Sequence, residues 1–257
     1  MAEKKEHPTD PLFYEPENDD LSSHRHRVII GVLGAALPLL IWFVAWLRPV
    51  DPSLTSPMGS ISAYYYSGAV AIFAGILAAL AVYFITYDGY DNQDRWKDRL
   101  GALVAAIAAI GVALFPTGAP LERLALPWWR PEMGTLHFVS AGVLFGAFVF
   151  FAFFLFPKSR KGKEQLPLDK RVRNAVYRLC GAIIIVCIVW AGVRAQAKQE
   201  IFWLETIALW AFAASWLVKG RADWTARQLL RRGKNPARLV AQVLDIAPRK
   251  PTDGPRG

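Results

Sequence analysis

Apolar residues along this chain gather into six long runs instead of alternating with polar ones. The runs cover Val28–Leu47, Tyr66–Thr86, Leu100–Thr117, Leu136–Phe156, Asn174–Val193 and Ile201–Val218. A helix needs about 20 residues to cross a hydrocarbon core about 30 Å thick, so each run is long enough or nearly so. A soluble core of the same overall hydrophobicity, 54%, would interleave polar positions throughout. The pattern predicts an all-α polytopic membrane protein with six transmembrane helices in a bundle. Residues 28–220 are read as that domain, 1–27 as a mobile cytoplasmic arm and 221–257 as a basic amphipathic cytoplasmic tail.

The polar intervals set the orientation. Lys and Arg number 4 before the first run, then 1, 3, 2, 7 and 2 in successive loops, and 10 after the last run, counting Lys219. One compartment therefore collects 24 of them and the other 5. The positive-inside rule places both termini in the cytoplasm and makes the chain a multi-pass protein of the cytoplasmic (inner) membrane. The formal charge of +9 sits mostly in the inner loops and tail. It attracts anionic lipid headgroups there, at about 1 kcal/mol per basic residue near the surface. It does not indicate nucleic acid, because no recognised reading module accompanies it. The first 27 residues carry seven acids and four bases without an apolar centre, unlike a signal or transit peptide, so the first run is expected to act as a retained anchor.

Local patterns refine this picture. Pro49, Pro52 and Pro57 break the first outer loop, which ends in Tyr64, Tyr65 and Tyr66 at the expected membrane interface. Trp128 and Trp129 place the third loop at the same interface. Ala71, Gly75 and Ala79 on run two, and Ala105, Ala109 and Ala113 on run three, recur every four residues. Such small faces let helices approach closely, so runs two and three are expected to pack through them. Gly142 and Gly146 are read the same way and leave a homo-oligomer open. Asn235-Pro236 starts a tail helix with Leu239, Val240, Val243 and Leu244 on one side, expected to lie on the inner leaflet. Cys180 and Cys187, seven residues apart on one helix, cannot bridge and are read as packing residues.

Candidate chemistry is sparse. There is no phosphate-binding Gly loop, paired-cysteine metal spacing, His-Glu-x-x-His or Gly-x-Ser-x-Gly elbow. No cofactor and no metal is expected. His24-Arg25-His26 reads as an exposed basic collar. Asp88, Asp91, Asp94 and Asp98 read as turn caps paired with the bases between them, since a calcium loop needs a fuller ligand pattern. His137 and Glu205 are different. Both fall inside runs near the outer face, where a buried ionisable group needs partners. Ser140 lies one turn below His137, and Ser60, Ser62 and Tyr64 come from loop one at the same level. These six residues define an expected outward-facing polar site. It is read as a helix clasp, as a lipid-headgroup site, or as a hydrolytic site in which Glu205 tunes His137 as a general base. Function is expected to be lipid-binding or membrane-organising. A membrane-embedded hydrolase or transferase and a small-solute transporter are the alternatives.

The strings "SISAYYYSG", "YDGYDNQD", "ALFPTG", "LHFVSAG" and "FWLETIALWAFAASWLVKG", in that order, cover parts of Val28 to Gly220. Together they resemble uncharacterised bacterial six-span membrane proteins, distantly similar to the Frag-type and damage-regulated-autophagy-modulator-type families. Ser67-Gly68-Ala69-Val70 stands where such sequences tend to carry an Arg-Asp pair. The resemblance implies a six-helix bundle with polar groups toward the outer leaflet, and it implies no enzyme activity.

Overall fold

The computed structural model describes residues 18–54, 56–87, 95–157 and 168–220. Every regular element among them is helical: α1 (Asn18–Leu47), α2 (Val70–Ile85), α3 (Arg95–Leu114), α4 (Pro131–Phe150), α5 (Leu168–Gln196) and α6 (Phe202–Lys219). Each helix overlies one apolar run. A short 3-10 turn, Ser62–Tyr66, precedes α2, and a π-helical turn, Phe151–Leu155, extends α4. Three helical stretches are long and apolar enough to cross a membrane: Arg25–Leu47, Pro131–Leu155 and Arg171–Gln196. Helix α2 is apolar but shorter. The aspartates at 88, 91 and 94 and the tail at 221–257 lie outside the described residues, while α1 begins at Asn18, upstream of the expected start.

The helices follow one another around the bundle, with α6 returning to α1, so neighbours in sequence are largely neighbours in space. Their outer faces carry large apolar side chains: Ile107 on α3, Phe138 on α4, and Leu179, Val189 and Trp190 on α5 are each more than half exposed. A surface so apolar is poorly suited to water and well suited to hydrocarbon. Inside, aromatic rings fill the end of the bundle where α2, α4 and α6 finish. Trp216 is fully buried among Phe84, Tyr87, Phe151, Phe156 and Phe212, and Phe148 stacks on Phe212 with centroids 3.7 Å apart. Rings suit this role because each buries a large area with few rotatable bonds.

Close helix crossings occur where small residues meet bulky ones, and only some are those expected. Ala105 and Ala109 of α3 are buried, as predicted for a packing face. Ala71 and Gly75 of α2, however, face outward, and α2 packs through Phe73, Leu77, Leu80 and Phe84 instead. A four-residue repeat identifies a face without saying which way it turns. One close approach is between α1 and α6. A Cβ on Gly34 would lie 2.8 Å from the Phe212 ring, and one on Gly31 would lie 2.7 Å from Leu217. Helix α5 approaches the π turn more closely still, with a Cβ on Gly181 2.4 Å from the Phe153 ring.

One basic position departs from expectation, and a second serves as a cap. His26 is half-buried, donating from Nε2 to the Tyr83 carbonyl at 2.6 Å, so it belongs to the α1–α2 contact and not to an exposed collar. Lys219 does not reach outward. It is buried and donates from Nζ to the Phe156 carbonyl at 2.9 Å, capping the chain just past the π turn. A basic group near a helix end donates to a carbonyl in this way.

The α1–α6 crossing generates a paired expectation. Phe212 is locked between Phe148 and Trp216, so Gly34→Ala should destabilise the protein by about 1–3 kcal/mol. A Cβ on Gly75 would meet nothing within 4 Å, so Gly75→Ala should be neutral or stabilise by up to about 1 kcal/mol. Thermal unfolding of both variants in one detergent checks the contrast.

Candidate functional site

Loop one, between α1 and α2, is the organiser of the outer end. It contains several prolines and lacks a continuous helix, so its backbone groups need partners from elsewhere. Helix α6 supplies them. Its first amides, those of Ile201 and Phe202, both donate to the Gly59 carbonyl, at 2.7 and 3.0 Å. Helices leave their first four N–H groups unpaired, and here a loop carbonyl accepts in place of a side-chain cap. Glu205, in the first turn of α6, returns the contact: its Oε2 accepts the Ile61 amide at 2.6 Å. A carboxylate at a helix N-terminus also sits favourably in the helix dipole. Ser60 Oγ accepts the Ala63 amide at 3.1 Å and thereby starts the 3-10 turn. Tyr64 is buried, with its hydroxyl accepting the Met58 amide at 3.3 Å and its ring beside Phe202.

The other side of loop one meets α4. Ser62 Oγ lies 2.7 Å from His137 Nε2, and both side chains are buried. His137 Nδ1 lies 2.6 Å from the Phe115 carbonyl. A carbonyl only accepts, so Nδ1 carries a proton; in the neutral ring Nε2 then accepts the Ser62 hydroxyl. The Phe115 carbonyl belongs to a series of three. Pro116 lacks an N–H, α3 ends at Leu114, and the next carbonyls leave the helix unbonded. Phe115 is taken by His137, Pro116 by Trp129 Nε1 at 3.0 Å, and Thr117 by the Tyr66 hydroxyl at 2.5 Å. Three side chains from three segments thus satisfy three consecutive peptide oxygens.

Five of the six expected residues therefore meet around loop one. His137 and Ser62 touch directly. Glu205 grips the residue before Ser62, while Ser60 and Tyr64 shape the loop from within. His137 and Glu205 hold neighbouring residues of one strand of chain and do not bond each other. Ser140 lies elsewhere, against α3: a Cβ on Gly111 would lie 2.3 Å from its Oγ. Tyr66, Trp129 and the Gly59 carbonyl take part without having been singled out for this role. The signal that could have found them is Pro116, which announces carbonyls in need of donors. Among the described residues, no three His, Cys, Asp or Glu side chains gather as a metal site.

A second outer contact ties loop one to loop three. Arg123 forms a bidentate pair with Asp51, with Nη2 to Oδ1 at 2.7 Å, and also reaches Ser53. The Arg123 guanidinium, helped by the Ser53 amide and hydroxyl, holds the Asp51 carboxyl well below the usual carboxylate range.

An apolar crevice lies remote from this cluster. It encloses about 760 Å³ between the N-terminal half of α3 and the C-terminal end of α4, and none of the six residues lines it. Its walls are Leu100, Val104, Val143, Phe150, Phe154 and Leu155, with Gly101, Gly146 and Ala147 between them and Trp96 and Lys97 at one end. Helices α3 and α4 flank the crevice and still meet beside it, where a Cβ on Gly101 would lie 3.4 Å from the Phe150 ring. They are in close contact where Ser140 meets Gly111, yet a Cβ on Gly142 or Gly146 would meet nothing within 4 Å. The glycines expected to pack are instead open to the outside. The π turn borders the crevice and adds a residue to one helical turn.

No protein-family model, curated protein or solved structure matches the chain.

The geometry makes two outcomes specific. Ser62 and His137 form one hydrogen bond, so Ser62→Ala and His137→Ala should each lower stability, with the double variant losing about 1 kcal/mol less than their sum. Additive losses would remove the clasp. Asp51 titrates lower folded than unfolded, so its contribution is complete above about pH 4 and is lost as pH falls further. Asp51→Asn should therefore flatten part of the acid limb in a stability–pH profile while leaving the slope between pH 5 and 8 unchanged.

Proposed function

We propose that this protein crosses the cytoplasmic membrane six times with both termini inside, and that it binds and organises membrane lipid without turning over a substrate. The coincidence of six apolar runs with six helices supports the spans, and the uneven distribution of Lys and Arg supports the orientation. The resemblance to bacterial six-span proteins agrees with both. The observation that carries the lipid reading is the crevice between α3 and α4. It is apolar along its length, opens sideways toward the expected bilayer, and ends at an exposed tryptophan and a lysine. The outer cluster is read as the clasp that keeps loop one in place, since both nitrogens of His137 and the Glu205 carboxylate already hold parts of the protein.

A second reading has one observation in its favour. A serine hydroxyl 2.7 Å from a histidine nitrogen, with the other ring nitrogen anchored, is the arrangement that activates a serine nucleophile. Here the anchor is a peptide carbonyl, not a carboxylate, and neither Ser62 nor His137 is open to a substrate. A carbonyl orients the imidazole but provides less stabilisation for the imidazolium that proton transfer would create.

Reporter fusions give the first test. Those at Ser53 and Ala119 should report the outer side, and those at Lys161 and the C-terminus the cytoplasm; a cytoplasmic signal at Ser53 would overturn the topology. The lipid reading is tested by Gly146→Leu, whose side chain would enter the crevice from a position where Cβ meets nothing. Native mass spectrometry should find phospholipid retained by the wild type and lost from a normally stable variant. Retention by both would sink the reading. A serine-directed fluorophosphonate should leave Ser62 unlabelled; labelling that His137→Ala abolishes would favour the hydrolase instead.

A further inference from the structure

The crevice has a depth, a direction and a charged end, and these limit what can occupy it. From Trp96 to Val104, α3 rises about 12 Å, close to half of a hydrocarbon core of about 30 Å. The apolar walls thus extend over about one leaflet and stop where Ser140 closes on Gly111. A volume of 760 Å³ is in the range of small-molecule sites, about 300–1,000 Å³, and far smaller than the surface a second protein would need. An extended alkyl chain fits such a slot, for its cross-section is uniform and it asks for no hydrogen bond.

The mouth is polar and positive. Lys97 stands there with its Nζ 5.6 Å from the centre of the Trp96 ring, and that ring is 60% exposed. Arg95 and Arg99, on either side in sequence, are exposed as well. A tryptophan with an ammonium group at its face, on the apolar–polar boundary, matches the glycerol and phosphate level of a bilayer. Gly146 leaves open space within the walls, and Leu100, Phe150 and Phe154 continue the apolar lining from this mouth toward Val104 and Val143.

Resting on the topology and lipid reading above, we propose that the crevice holds one acyl chain of an anionic phospholipid from the cytoplasmic leaflet, with its phosphate group at Lys97. The headgroup charge sets the preference and the apolar slot sets the depth. The preference comes from attraction between a basic residue and net negative charge at the inner surface. One such residue contributes about fivefold in affinity.

The test uses full-length protein, mild detergent and an equal mixture of phosphatidylglycerol and phosphatidylethanolamine, read by native mass spectrometry. Wild type should carry one phosphatidylglycerol in about fivefold preference. Lys97→Gln should carry the same number of lipids with the preference falling to near unity, and Lys97→Arg should restore it. Phosphatidylethanolamine bound by Lys97→Gln reports that the slot is intact, so a misfolded variant is recognised directly. Equal binding of the two lipids by wild type, or an unchanged preference in Lys97→Gln, would overturn the anionic assignment while leaving the lipid reading in place. A lipid-free wild type, or a lipid-free dimer with doubled mass, would overturn both.

Discussion

The end of the bundle where α6 starts is built around one peptide carbonyl, that of Gly59. Two amides at the start of α6 share it, and without it the helix would begin with unpaired donors. The carbonyl can sit there only because the following residues are held in place. Glu205 holds Ile61, and His137 holds Ser62. His137 is itself set by a carbonyl released where α3 stops. Loop one is thus the joint through which α3, α4 and α6 determine one another's positions, although each contributes only one or two atoms to it.

The same requirement accounts for features that composition makes look functional. A histidine, a glutamate, two serines and a tyrosine brought together resemble a reaction centre, but all except Ser62, which bonds His137, serve a backbone group. Three of the satisfied groups are consecutive carbonyls after α3, and they are taken by histidine, tryptophan and tyrosine. In a water-soluble protein, solvent could have served some of them. In a membrane the side chains must do it, so polar residues near an outer interface can be architectural even when their chemistry is versatile.

The existence and type of the helices were legible because they follow from local information. Long apolar runs demand satisfied backbones, and Pro116 ends α3 where the run suggests. The clustering of His137 with Ser62, and of Glu205 with loop one, was legible in part because depth in the membrane can be counted along each run. What could not be read is which way a face turns. Gly75 and Gly146 occupy repeats that commonly pack, yet both look outward. Gly31 and Gly34, three residues apart and unremarked, sit at the close α1–α6 crossing. The rotation of a helix about its own axis is decided by all its neighbours together, through volumes that no single run contains. The π turn and the cap by Lys219 are invisible for a related reason, since both depend on where α4 ends relative to α6.

Helix α6 is fastened at both ends, by Gly59 at its start and through Lys219 to the Phe156 carbonyl at its finish. Helices α3 and α4 are likewise held at two levels, where Gly111 meets Ser140 and where Gly101 meets Phe150 and Leu155. A furrow set between two such contacts keeps a fixed width, so an occupant is selected by its shape and not admitted by helices moving apart.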